Sequence, residues 1–459
     1  MGAQLIRADE ALSPRPIWCV TPQNWREVVG TLPPPALAFA DATGFKADPG
    51  ALLVLPAADG SIAGALFGCE ERPRDPLGFG KLATALPAGD YAIAHPPHDS
   101  RLAALGFLLG SYRFTRYGKQ AGATIRLVTP QGVDAAAIRR TAEAVALTRD
   151  LVNTPANDLG PAEIEAAMRA LGTRFGAQVH VTTGDDLLAA NFPLVHAVGR
   201  ASSRAPRLID LRWGDPQAPK VTLVGKGVAF DTGGLDIKPS SGMLLMKKDM
   251  GGAANAMGLA QMIMARALPV RLRLIVPAVE NAIDGSAFRP GDVFPSRNGL
   301  TVEIGNTDAE GRLILADALS LADEEAPELL IDFATLTGAA RVALGPQLPP
   351  AYTENDALAA DLARHGAAEA DPSWRMPLWQ PYAAMLDSKI ADLNNAPSGG
   401  FAGSITAALF LQRFVARAGA WLHLDIFAWN PTARPGHPEG GEAQTIRALD
   451  ALIAERYPA

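Results

Sequence analysis

The sequence predicts an α/β protein with a small N-terminal α/β domain and a larger C-terminal domain, whose central mixed sheet is covered by helices on both faces. Three observations carry this expectation. The chain has 459 residues, and single hydrophobic cores stop growing at roughly 250 to 300 residues, so two or three domains are expected. Hydrophobic residues make up 48% and charged residues 19%, which supplies ample core and excludes a disordered chain. Short apolar runs alternate with stretches of helical period along most of the length, the pattern of a sheet layered with helices.

Taken in order, Ala36 to Ala40, Ala51 to Leu55 and Ile62 to Phe67 read as strands, and Arg101 to Tyr117 has apolar residues at helical spacing. Asp134 to Leu151 is a second periodic stretch. It ends in a segment rich in turn residues, Asn153 to Gly160, and a new helix is expected at Pro161, where proline's fixed φ suits a first helical position. The domain boundary is placed there, giving domains 1–152 and 153–459. Beyond it, Leu208 to Trp213, Val221 to Val224, Leu272 to Val276, Leu329 to Phe333 and Leu422 to Ile426 are candidate strands. Helices are expected near 251–265, 313–324, 355–364 and 402–417.

Charge and cysteine content narrow the function classes. Lys plus Arg number 41 against 48 Asp plus Glu, a formal charge of −7, so no global basic field exists to hold nucleic acid or acidic lipid. Cys19 and Cys69 are too few for a disulfide framework, and a reducing compartment is expected. Charges at Arg7, Asp9 and Glu10 interrupt the apolar run a secretory signal needs. The longest uncharged stretch, Leu393 to Gln412, carries Asn394, Asn395 and several glycines, which could not enter a bilayer cheaply. A soluble, cytoplasmic protein is the expectation.

Polar chemistry concentrates in two segments. The first runs from Gly225-Lys226-Gly227 through Asp231-Thr-Gly233-Gly234 and Lys238 to Met246-Lys-Lys-Asp249. An apolar strand delivers these residues past its end, where open α/β sheets place ligands. Gly-Lys here is no phosphate loop, since Gly227 stands where that motif needs Ser or Thr. The second segment is Asn306-Thr-Asp308-Ala-Glu310-Gly-Arg312-Leu. Read as extended chain, its period of two aims Asp308, Glu310 and Arg312 to one side, with a helix from Leu313 adding a positive N-terminal end. Any one of these charges alone is more often a cap or a solvated group than a ligand. Together, Asp231, Asp249, Asp308 and Glu310 would repel one another unless cations neutralise them, and two divalent ions balance four carboxylates. Oxygen ligands suit Mg²⁺, Mn²⁺ or Zn²⁺, and Lys226 could join only as the neutral amine. The seven histidines show no ligand spacing, and His423, in an apolar strand, reads as structural.

These segments, with Asp332-Phe-Ala-Thr335-Leu-Thr-Gly338, resemble those of the leucyl (cytosol) aminopeptidases, the M17 metallopeptidases. The resemblance implies an exopeptidase that removes the N-terminal residue, preferably large and apolar, from peptides by means of a water bridging two divalent metals, Mn²⁺ or Zn²⁺. It implies a tight metal site of Lys226, Asp231, Asp249 and Glu310 and a looser one of Asp231, Asp308 and Glu310. Lys238 and Arg312 match the family's catalytic residues, the latter with a bicarbonate ion, and Met246, Thr335 and Gly338 match positions lining the pocket for the first side chain. A homohexamer is implied too. Phe427 and Trp429 depart from the pattern, standing where many members have a small Ala-Gly turn. Three alternatives are a DNA-binding regulator that keeps the fold, which the near-balanced charges of the N-terminal domain do not support, another two-metal hydrolase such as a phosphatase, against which the lysine ligand and the missing phosphate clamp argue, and a catalytically dead structural paralogue, which should have lost a ligand or catalytic residue, whereas none is lost.

Overall fold

The computed structural model describes residues 3–70, 74–118, 124–397 and 399–458. They form two compact units, one of residues 1–146 with 432–439 and one of 147–431 with 440–459. The division falls inside the helix Ala135–Asn153, somewhat before the turn at which the sequence suggests it.

The first unit is built on a six-stranded sheet, in spatial order Ala3–Ile6, Ile125–Val128, Gly89–His95, Arg15–Val20, Ile62–Gly68 and Leu52–Pro56. All neighbours are parallel except the last pair. One expectation is corrected here. Ala36 to Ala40 is not a strand but the middle of the helix Pro34–Ala42. Pro34 starts it, and Ala36 and Ala40, four apart, turn the same buried face to Val28, Leu55 and Leu66. A short apolar run fits either period, and here alanine's helix preference prevails. The helix expected over Arg101 to Tyr117 stops at Gly110.

The second unit holds the larger mixed sheet, with helices on both sides. At its centre Trp421–Asp425, Leu329–Ala334, Lys220–Gly225 and Arg271–Asn281 run parallel. Antiparallel strands flank them, including Arg207–Trp213 and Pro350–Tyr352. A further strand, Gly227–Asp231, pairs with the far end of Arg271–Asn281 and was not anticipated, because its four residues before Asp231 include a glycine and give no clear alternation. Central strands buried on both faces read as continuous apolar runs, which is why they were legible. Val224, Ile275, Leu313, Leu315, Leu330 and Phe410 share one core, and each such side chain contributes roughly 1.5 to 3 kcal/mol on burial.

The helix Gly251–Ala265 is apolar all round and buried from Gly251 to Met264. Its glycine start lets it press on the sheet. A Cβ on Gly252 would lie 2.2 Å from the Phe333 carbonyl oxygen. The helix after the second polar segment spans Glu310–Asp323, so it begins earlier than Leu313. Glu310 and Arg312 therefore sit on a helical first turn rather than on an extended strand, and the period-two argument for their common direction does not hold.

Candidate metal and peptidase site

Three parallel strands end at one place. Lys226 follows Lys220–Gly225, Thr335 follows Leu329–Ala334, and Asp231 closes Gly227–Asp231. The Lys226 backbone is pinned on both sides, its N–H donating to the Phe333 carbonyl (2.9 Å) and its own carbonyl accepting from Ala253 (2.8 Å). Its Nζ then lies 2.8 Å from Asp249 Oδ2 and 2.9 Å from Glu310 Oε1, and it donates to the Thr335 carbonyl at 3.0 Å. Gly311 leaves the path open, since a Cβ there would meet Lys226 Cε at 2.5 Å.

The carboxylates are held individually. Asp231 Oδ1 accepts from Asn281 Nδ2 and from the Gly233 N–H, both at 2.9 Å, leaving Oδ2 for Lys238 Nζ at 2.8 Å. Lys238 also donates to Asp308. Asp249 Oδ1 accepts the Thr335 hydroxyl at 2.8 Å. One oxygen each of Asp231, Asp308 and Glu310 lies within 4.8 Å of the others. Burial and the charge of Asp231 push the pKa of Glu310 up to about 8 and that of Asp308 up to about 6. Burial opposes the charged forms of Lys226 and Lys238, yet the surrounding carboxylates raise both. Bound cations would invert that field and release the Lys226 amine as a ligand.

The residues fit divalent cations. Asp249 Oδ2 and Glu310 Oε1 are buried with only the Lys226 ammonium beside them, and among the described residues Glu310 Oε2 has no partner, a costly condition for a carboxylate oxygen unless a cation coordinates it. Oxygen donors with one amine suit Mn²⁺ or Zn²⁺.

A cavity of about 500 Å³ opens over this cluster, and its walls include every residue singled out from the sequence except Glu310, which is 1% exposed. Arg312 donates through Nη1 to the Asn395 carbonyl at 2.7 Å, while among the described residues its Nε is buried without a partner; burial pulls its pKa down to about 10. Sequence reasoning missed several residues. Asn281 orients Asp231, and Asn395 ties Gly305 and Asn306 in place with its side chain. Asp425 accepts from the backbone N–H groups of Leu336 and Thr337 and from the Thr337 hydroxyl, fixing the pocket loop. Polar residues at the ends of apolar strands are the signal that could have found Asn281 and Asp425. Lys248 also lines the cavity, and burial lowers its pKa to about 8. Phe427 carries Lys248 and Arg341 against its ring, and Trp429 carries Lys247. Each such contact is worth roughly 0.5 to 2 kcal/mol. His423 is structural as expected, bonded through Nδ1 to Asp332 at 2.6 Å and stacked on Tyr352 and Trp421.

Residues 146–450 match the model of the cytosol aminopeptidase family, catalytic domain, and residues 16–130 that of the M17 aminopeptidase N-terminal domain. The chain belongs to the cytosol aminopeptidase family. It is thus a peptidase of a metal-dependent family. A probable cytosol aminopeptidase of Rhizobium rhizogenes is 41% identical over 374 residues, 77% of this chain and 74% of its own. The crystal structure of the cytosol aminopeptidase from Coxiella burnetii superposes with a TM-score of 0.93 at 46% identity, covering 99% of both chains. The bottromycin maturation enzyme BotP in complex with Mn superposes at 0.85 with 33% identity, covering 97% of this chain and 100% of that one.

Proposed function

We infer that the chain removes the first residue from peptides with a free N-terminus, using two divalent cations, Mn²⁺ or Zn²⁺, held by Lys226, Asp231, Asp249, Asp308 and Glu310. The observation that carries this is the buried cluster itself, its carboxylates crowded around the Lys226 ammonium with Glu310 Oε2 left unpartnered among the described residues, beneath an open cavity. Bound there, such cations supply Lewis acidity and a water that loses its proton near neutral pH. Lys226 and Asp249 would hold one cation and Asp308 the other, with Asp231 and Glu310 contributing to both. Asp308 is the more exposed of the carboxylates, so its side would be the one open to the substrate's free α-amine. Lys238, between Asp231 and Asp308, is placed to meet negative charge developing on the scissile carbonyl oxygen. Arg312, with an unpartnered Nε at the start of its helix, holds a small oxyanion such as bicarbonate that passes protons. A leucine-like first side chain would lie against Met246, Thr335 and Gly338. A cytoplasmic homohexamer is part of the same reading. Among the described residues no helix is long and apolar enough to cross a membrane.

The test is hydrolysis of aminoacyl amides with free and acetylated N-termini, with and without chelator. Turnover of free substrates only, abolished by metal removal and restored by Mn²⁺ or Zn²⁺, is expected. Equal rates on acetylated substrates would overturn the exopeptidase reading.

A further inference from the structure

We propose that the pocket for the first side chain contains a cationic subsite, formed by Lys248 and Arg341, that accepts an acidic side chain in preference to the matching amide. This rests on the aminopeptidase reading and adds a substrate class to it.

Lys248 stands between Met246, on the expected wall of that pocket, and Asp249, in the metal cluster. It lines the cavity and is 2% exposed. Among the described residues its Nζ has no hydrogen-bond or ion-pair partner, only the face of Phe427 at 4.8 Å from the ring centroid. The nearby acids are already engaged. Asp249 is taken by Lys226 and Thr335, and Asp425 by Leu336, Thr337 and Ser404. Arg341 comes from the other wall. Its guanidinium carbon is 4.7 Å from the same ring centroid, and a Cβ on Gly338 would lie 3.5 Å from its Nη2. The guanidinium therefore folds back over Gly338, the other position expected to face the first side chain. It too has no carboxylate partner among the described residues.

Two cations thus converge on one aromatic ring at the pocket wall with no counter-ion between them. The ring's negative face offsets part of their repulsion. A buried ammonium without an anion is costly, and a ligand carboxylate placed between the two would remove that cost through charge-assisted hydrogen bonds. The acids of the metal cluster would not repel such a ligand, because cations neutralise them. Glutamate or aspartate as first residue meets this chemistry. Their amides have the same shape without the charge, and a lysine side chain would be repelled.

The test uses the Mn²⁺-loaded full chain. kcat/KM is measured for the amides of glutamate, glutamine, leucine and lysine, and binding of free L-glutamate and L-glutamine is measured by calorimetry. Glutamate should exceed glutamine about tenfold or more in both readouts. Arg341→Met and Lys248→Met should each bring that ratio toward one, and Arg341→Lys should retain part of it, with metal content and unfolding temperature as controls. Lys248→Met alters a buried position and could fail to fold; Arg341 is exposed, so its variants decide the matter alone. Equal treatment of glutamate and glutamine by the wild type, or an unchanged ratio in Arg341→Met, overturns the subsite. Should no amide be hydrolysed, the aminopeptidase reading fails, while the binding ratio still decides the subsite. Fast leucine turnover without discrimination between glutamate and glutamine sinks the subsite alone.

Discussion

Lys226 and Lys238 touch the same carboxylate cluster from opposite sides, and their surroundings predict different losses. Lys226 is 3% exposed, between Asp249 and Glu310, so Lys226→Ala should lower the number of metals bound per chain. Lys238 is reachable from the cavity and is assigned to charge present mainly in the transition state. Lys238→Ala should keep both metals and lose about 10²- to 10³-fold in kcat, roughly 2.7 to 4 kcal/mol. Metal analysis beside steady-state kinetics checks both; equal metal content in the two variants would refute the division of roles. At His423, burial opposes the charged ring, yet Asp332 at 2.6 Å holds its pKa above the ordinary imidazole value. A raised folded pKa favours the protonated native state. That contribution is complete below the unfolded pKa of about 6.5 and disappears as pH rises through the folded one. Denaturant midpoints taken upward from about pH 6 should fall accordingly, and Asp332→Asn should flatten the trend. Of these residues Lys226, Lys238 and the four carboxylates were legible, because they lie in two short glycine-rich segments. Asn281, Asp425, Lys248 and Arg341 were not, because each acts through a partner far away in sequence.

At the scale of elements, the helix Glu310–Asp323 serves two ends. Its first turn presents Glu310 and Arg312 to the cavity, and its middle carries Asp317 into the core, fully buried. There Asp317 accepts from the N–H groups of Leu194 and Val195, at the start of the helix Pro193–Gly199, and from that of Arg297. Asp317→Ala would orphan two buried donors and the half-buried N–H of Arg297, and should destabilise the second unit by roughly 3 kcal/mol or more. Chemical unfolding measures this directly, and a loss under about 1 kcal/mol would show that water replaces the carboxylate. Sequence periodicity located this helix but not its first residue, because Ala309-Glu310-Gly311 carries no apolar signal. The alanine-rich helix Pro34–Ala42 was misread for the opposite reason: every residue of a short apolar run fits both periods.

For the whole molecule, metal and stability are linked. If cations bind the assembled cluster and not the unfolded chain, as proposed, then at 100 times the dissociation constant they should add about 2.7 kcal/mol. Calorimetry should show the transition of the second unit moving up with Mn²⁺ or Zn²⁺, and the shift should vanish in Asp231→Ala. An unchanged transition would mean that the cluster does not bind these ions. The proposed hexamer is checked by sedimentation, where a mass of one chain would exclude it.

The sequence by itself determined the α/β class, the existence of a large mixed sheet covered by helices, and the polar residues delivered at its strand ends. It could do so because strand burial and glycine-rich turns are local properties, written in consecutive residues. Only the tertiary structure decided that Glu310 and Arg312 start a helix, that Asn281 and Thr335 orient Asp231 and Asp249, and that Lys248 and Arg341 meet over Phe427. Those outcomes depend on which strand ends and loops converge in space, and convergence is set by packing between segments a hundred residues apart, which no local pattern records.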